Sequence, residues 1–389
     1  MDKKKIGLYA AGIVAVLVLP LILQSFGNAW VRIADTALLY VILALGLNIV
    51  VGYAGLLDLG FVAFYAAGAY LFALMASPHL GQTFAGFAAL FPNGLHTSLW
   101  VVIPLAMALA GFLGVLLGAP TLKLRGDYLA IVTLGFGEIV RIFLNNLDHP
   151  YNITNGPKGL NQIDSIHILG LNLGRPFDLF GYTIPSVTLY YYLFLFFVVL
   201  TILICYRLQT SRVGRAWMAI REDEIAAKAM GINTRNMKLL AFGLGAMFGG
   251  VAGSMFGAFQ GFVSPESFSL MESVMIVAMV VLGGLGHIPG VILGAVLLAA
   301  LPEILRYVAG PLQAMTDGRL DAAILRQLLI ALAMISIMLL RPRGLWPSPE
   351  HGKTLIKKGT STGKAPPAVS PTQASVLAAP GPTQPGGHP

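Results

Sequence analysis

The sequence predicts an all-α polytopic membrane protein of about ten transmembrane helices, arranged as two five-helix halves of inverted sense. Three observations carry that prediction. Of 389 residues, 56% are hydrophobic and only 11% are charged, against about 25% charged in an ordinary soluble domain. Too little polar surface exists to wrap so much apolar material in water. The apolar residues gather into ten stretches near the ~20 residues that a helix needs to cross the hydrocarbon core. Basic residues, finally, cluster in the loops of one side.

Taken in order, the predicted spans are 6–23, 33–51, 54–76, 98–119 and 128–145, then 184–206, 239–259, 272–286, 288–305 and 323–340. The first follows Lys3, Lys4 and Lys5 and, with an outer loop, makes up 1–32. A cleaved leader also begins this way, but 6–23 exceeds the usual apolar core and no small-x-small cleavage site follows cleanly. The main body is 33–346. With the N-terminus inside, the loop residues Lys123 and Arg125 fall on the same side as Arg207, Arg212, Arg215, Arg221, Lys228, Arg235 and Lys238. Arg341, Arg343, Lys353, Lys357, Lys358 and Lys364 follow, so eighteen of the 25 basic residues lie on that side and both termini are expected in the cytoplasm. The charge of +8 thus reads as membrane orientation, with lipid and not nucleic acid as the partner.

The last segment, 347–389, holds nine of the 23 prolines and should form a disordered cytoplasmic tail. Its Gly352-Lys353-Thr354 ends like a phosphate-binding loop, but position 347 is proline where that motif needs glycine, and no strand precedes it. The single cysteine, Cys205, lies in an apolar run and permits neither a disulfide nor a thiolate metal site. No zinc spacing, HExxH or GxSxG pattern is present. Catalytic residues, metal ligands and a cofactor held by this chain are therefore not expected, and the chain is not read as an enzyme.

Two glycine-interrupted segments occupy corresponding places in the halves. One runs from Gly52, Tyr53 and Gly55 through Asp58 to Gly60; the other runs from Gly261 through Ser264 and Pro265 to Glu266. Read as broken helices, they expose backbone groups that only protein or water can cover, and their ends suit a carboxylate. Read plainly, they are turns at opposite surfaces, with Asp58, Glu266 and Glu272 solvated at span ends. Glu138 and Arg141 are three apart within a span and are expected to pair on one helix face, or to line an aqueous path. His287 reads as a turn residue.

The informative polar segment is 207–238. Arg221 to Gly231 reads as a short helix with Asp223 as N-cap, Glu224 facing the helix dipole and Gly231 at the left-handed C′ position. Ile225, Ala226, Ala229 and Met230 share a face. So short a helix must dock on lipid or on another protein.

At this point a resemblance enters. Glu224-Ile225-Ala226-Ala227 followed by Gly231 resembles the EAA loop of ABC importer permeases, whose coupling helix enters a cleft on the ATPase. Three longer stretches are similar to the LivM-type permeases of branched-chain amino acid ABC transporters. They are Leu122-Lys123-Leu124-Arg125-Gly126-Asp127-Tyr128 through Glu138-Ile139-Val140-Arg141, Gly214-Arg215-Ala216-Trp217 through Gly231, and Gln260-Gly261-Phe262-Val263-Ser264-Pro265-Glu266-Ser267-Phe268. The similarity covers roughly 33–346.

The resemblance implies an inner-membrane permease subunit working with a LivH-type permease, two cytoplasmic ATPases that bind ATP and Mg, and a periplasmic amino-acid-binding protein. Leucine, isoleucine and valine are the implied cargo, although relatives carry other amino acids, urea or short amides. It assigns Arg215, Arg221, Glu224, Ala226, Ala227 and Gly231 to ATPase coupling. The translocation path is expected along Tyr53, Gly55, Asp58, Gly60, Gly261, Ser264, Pro265 and Glu266. An ATP-independent secondary transporter is the contrasting reading, and only the docking helix argues against it bottom-up.

Overall fold

The computed structural model describes residues 3–91, 95–121, 124, 126–168, 171–179, 182–315, 322–341 and 344–346. The proline-rich tail 347–389 with its Gly352-Lys353-Thr354, and Leu122, Lys123, Arg125 and Arg343, lie outside the described residues. The body is all-α. Helices α1 (Lys3–Ser25) and α2 (Asn28–Asn48) come first, and a π-helical turn (Ile49–Tyr53) prolongs the second. Next are α3 (Val62–Met75), the short α4 (His79–Thr83) and α5 (Ala85–Leu90), α6 (Leu99–Thr121) and α7 (Asp127–Asn146). Two small hairpins pair β1 (His167–Ile168) with β2 (Leu171–Asn172) and β3 (Phe177–Leu179) with β4 (Tyr182–Ile184), both antiparallel. After them run α8 (Ser186–Thr210), α9 (Arg212–Glu222), α10 (Glu224–Ala229) and α11 (Thr234–Gln260). The chain continues with α12 (Leu270–Gly283), α13 (Ile288–Met315) and α14 (Ala322–Leu340).

Each predicted span contains a helix, but among the described residues five are by themselves long and apolar enough to cross a bilayer: 28–53, 99–121, 186–210, 234–260 and 288–306. The predicted span 54–76 is corrected: its helix starts only at Val62, and Ala54 to Phe61 is irregular. Likewise 272–286 becomes Leu270–Gly283. Both α3 and α12 have 14 residues, hence about 21 Å at 1.5 Å per residue, short of a ~30 Å hydrocarbon core. The missing length is made up by 54–61 before α3 and by 261–269, with its 3-10 turn Pro265–Phe268, before α12. The two halves thus share one plan: a long helix, an irregular descent, then a short helix.

Lipid offers no hydrophobic gain for helix association, so close backbone approach decides the packing. Helix α11 supplies it. Where it crosses α3, a Cβ at Gly68 would strike the Gly250 backbone, and one at Gly253 would strike the Tyr65 carbonyl. Where it crosses α6, Gly114 leaves no room beside Ala246 and Phe242. Around this spine lies the core of Ile42, Leu43, Leu45, Phe61, Phe64, Phe242 and Met255, all buried.

Contacts between distant segments sort into two ends. At one end, Gly286 N donates to Asn48 Oδ1 (2.9 Å), Leu345 N to the Leu282 carbonyl (2.8 Å), and Arg221 to the Gly52 carbonyl. At the hairpin end, Thr97 N donates to the Met75 carbonyl (3.1 Å) and Asp164 N to the Ala76 carbonyl (2.8 Å), while Arg32 Nη2 donates to Gln260 Oε1 (2.6 Å).

Candidate functional site

The irregular descents meet inside the bundle. Ser273, in the first turn of α12, donates its hydroxyl to the Leu59 carbonyl at 2.6 Å. Leu59 N in turn donates to Thr133 Oγ1 of α7 (3.0 Å), whose own proton goes to the Ala130 carbonyl (3.0 Å). Both backbone groups of Leu59 are thus satisfied by hydroxyls from two other helices, as irregular chain within a membrane requires. Gly60 must be glycine here, because a Cβ would occupy the place of the Thr133 carbonyl oxygen.

Asp58 is fully buried at this junction, which overturns its reading as a solvated span end. Its Oδ1 accepts from Gly60 N at 2.9 Å, whereas Oδ2 has no hydrogen-bond partner among the described residues. Glu272 is also half-buried and not solvated, and accepts the Tyr40 hydroxyl proton. Tyr53 is buried with its hydroxyl unpartnered among the described residues. Gly55 faces Arg221, whose Cγ would lie 2.9 Å from a Cβ there.

The second descent carries charge. Arg141 Nε donates to Glu138 Oε1 at 3.0 Å, and Nη1 lies 3.5 Å from Glu266 Oε1. The predicted pair is therefore a triad linking α7 to the turn before α12. Its members are unevenly exposed, 25% for Arg141, 36% for Glu138 and 67% for Glu266, so it lies at the edge of the chain's own bundle. Gly261 closes α11 at a left-handed position, Ser264 and Pro265 are buried beside it, and Ser264 Oγ lies 3.4 Å from Ser267 Oγ. The structure thus joins 52–60 to 261–269 through Leu59 and Ser273, but leaves Glu266 at the surface.

The polar loop folds as two helices and not one. Ser211 caps α9, accepting from Gly214 N (3.1 Å), and α9 ends where Asp223 turns extended. Asp223 Oδ1 then accepts from Ile225 N (2.8 Å) and Ala226 N (3.1 Å), the expected N-cap, and α10 starts at Glu224. Gly231 follows the helix at φ +84°, open to L side chains only with strain. Of the apolar face, Ile225 is 72% and Met230 83% exposed, while Ala227 is buried against the body and Ala226 is exposed. Glu224 reaches Lys238 of α11 at 2.7 Å, with the lysine side chain 8% exposed. Arg215 donates to the Thr210 carbonyl at 2.8 Å and stays exposed. Arg221 ties the loop to Gly52, and its Nη1 would lie 3.1 Å from a Cβ at Gly286. His287 occupies the turn as expected, with Nδ1 3.0 Å from the Trp346 carbonyl oxygen.

Sequence reasoning missed Tyr40, Thr133 and Ser273, whose hydroxyls inside spans were the available signal. It also missed Asp35, fully buried in α2 with both carboxyl oxygens unpartnered among the described residues. No group of three or more His, Cys, Asp or Glu side chains that could hold a metal occurs among the described residues.

Residues 29–338 match the family model of the branched-chain amino acid transport system / permease component. The chain is 42% identical over 347 residues to the high-affinity branched-chain amino acid transport system permease protein LivM of Escherichia coli (strain K12), covering 86% of this chain and 73% of that protein. It is 27% identical over 326 residues to the corresponding permease protein LivH of Salmonella typhimurium, covering 81% and 93% respectively. A probable LivM of Methanocaldococcus jannaschii is 28% identical over 335 residues. No solved structure matches.

Proposed function

The chain belongs to the permease-component family of branched-chain amino acid transport systems, and from that premise we propose that it is the LivM-type inner-membrane subunit of an ATP-driven importer of leucine, isoleucine and valine. It is a multi-pass membrane transport protein and not an enzyme. A LivH-type permease is its membrane partner. Two cytoplasmic ATPases bind ATP and Mg, and a periplasmic amino-acid-binding protein delivers cargo at the hairpin end. Both termini and α10 lie on the cytoplasmic side.

The observation that carries this reading is α10. It is capped at both ends, projects Ile225 and Met230 away from the body, and yet is anchored by the buried Lys238–Glu224 contact. A helix this short holds only by tertiary contact, and its exposed apolar face fits the cleft of a partner. Force applied there passes through Glu224 into α11, which ends at the second descent. It also passes through Arg221 into Gly52, where the first descent begins. Both irregular segments thereby answer to one lever, and alternating access follows from their movement about the Leu59–Ser273 contact.

The test is purification of the tagged chain from cells expressing its neighbouring genes, followed by vesicle uptake of labelled leucine. Co-purified ATPase and ATP-dependent uptake are expected. Uptake by this chain alone, driven by a proton or sodium gradient, would reject the reading.

A further inference from the structure

A cavity of about 340 Å³ opens at the hairpin end, above the last turn of α3. That volume falls at the lower end of the ~300–1,000 Å³ range of small-molecule sites, the size class of a free amino acid. One wall is apolar, formed by Phe72, Ala76, Leu99 and Ile166. The remaining wall carries His96, Ser98 and Asp164.

The polar side has both signs of charge. The Asp164 carboxylate lies in the wall with 36% of its side chain exposed; Oδ2 contacts His96 Nδ1, and Oδ1 makes no hydrogen bond among the described residues. The same lining holds the start of α6, at Ser98 and Leu99. Val101 N (3.0 Å) and Val102 N (3.2 Å) donate to the Ser98 carbonyl, so the first amides of a 23-residue helix start at the cavity lining. Such a terminus carries partial positive charge and unmatched N–H donors. His96 holds φ at +43°, a left-handed conformation that a non-glycine residue adopts only when its surroundings fix it.

The cavity is also wired to the second descent. The segment that lines it at Asp164–His167 first pairs with Val263: Leu160 N donates to the Val263 carbonyl (2.7 Å) and Val263 N to the Leu160 carbonyl (2.9 Å). Asp164 N and Thr97 N bind the last two carbonyls of α3, at Ala76 and Met75. Occupancy of the cavity therefore bears on α3 and on 261–269 together.

We infer that this cavity is a receiving site for a small aliphatic amino acid. Asp164 accepts the ammonium group, the N-terminus of α6 takes the carboxylate, and Phe72, Ala76 and Ile166 cover the side chain. The inference rests on the amino-acid-permease reading above and adds to it a place where cargo rests before entering the bundle.

The experiment uses photo-leucine, a diazirine analogue of leucine, with the assembled complex in proteoliposomes and, for the labelling, no binding protein. After irradiation, labelled peptides are located by mass spectrometry, and ATP-dependent leucine uptake by the same proteoliposomes, with the binding protein added, is measured in parallel. Label is expected on 95–99 and 163–167, competed by excess leucine. Asp164→Asn removes one charge-assisted contact and should reduce the label about tenfold. Thr97→Trp, at a partly exposed lining position, should fill the cavity and reduce it as far, with complex assembly unchanged. If the complex takes up leucine but these segments carry no competable label, or if both variants label like the parent, the receiving site is wrong. If the complex takes up no amino acid at all, the amino-acid-permease reading has failed, and the site with it.

Discussion

At Gly60 a neighbouring carbonyl oxygen stands where a side chain would begin. Even Gly60→Ala must therefore push α7 from α3, at a cost on the order of 1–3 kcal/mol. A lower unfolding temperature in detergent together with lost uptake is expected; parent-like values in both would contradict the close approach. Thr133→Val, the isosteric change, leaves the part-buried Leu59 N–H without its acceptor, a loss of about 1–3 kcal/mol, whereas Thr133→Ser gives up only a buried methyl and keeps the bond, and should retain uptake where Thr133→Val loses it. For the triad, removing one charge strands its partner while removing both does not. Neutralising Glu138 or Arg141 singly should lower the thermal midpoint more than the double variant Glu138→Gln with Arg141→Gln. Equal losses that simply add would mean the side chains do not interact.

Among the elements, α10 was the most legible, because its signals are local. An Asp at the cap and a Gly at the C′ position are contained within nine residues, and both do in the structure what their chemistry suggests. Its cap at Asp223 also fixes its start at Glu224, while Arg221 and Glu222 before the cap close the preceding helix α9. The break at 54–61 was harder to see. Ala54, Leu56, Leu57, Leu59 and Phe61 keep the segment apolar on average, and hydropathy does not distinguish buried irregular chain from a helix. Gly52, Gly55, Asp58 and Gly60 marked it, and the hydroxyls that bond Leu59 come from helices far away in sequence. The hairpins, with strands of two or three residues, are too short for any alternation to register. Two variants test α10 as an element. Asp223→Ala removes a cap worth about 1 kcal/mol and Lys238→Met removes the tie to α11. Each should leave ATP hydrolysis by the assembled complex running while leucine uptake falls severalfold; loss of both activities in step would mean that the contacts serve assembly and not coupling.

Taken as a whole, the molecule places contacts between distant segments at its two ends and at the Leu59–Thr133–Ser273 junction. Helix α7 exposes Ile131, Ile139, Ile142 and Phe143, and the Glu138–Arg141–Glu266 triad lies beside them at the edge of the chain's own bundle. Sequence reasoning placed Glu138 and Arg141 on one face of α7 but did not bring Glu266 to them, because it lies 125 residues from Arg141 in the chain. The expected sidedness, by contrast, rests on charge count, and the contacts of Arg221, Asn48 and Leu345 gather at one end of the described residues. The proposed coupling depends on α10 being gripped from the basic side by a separate motor. Its most direct test is a Met230→Cys variant carrying a photoactivatable cross-linker in the membranes of intact, then opened, cells. A cross-link to an ATPase that changes in yield between ATP and ADP is predicted; a residue labelled by impermeant thiol reagents from outside intact cells, or one that never cross-links to an ATPase, would contradict it.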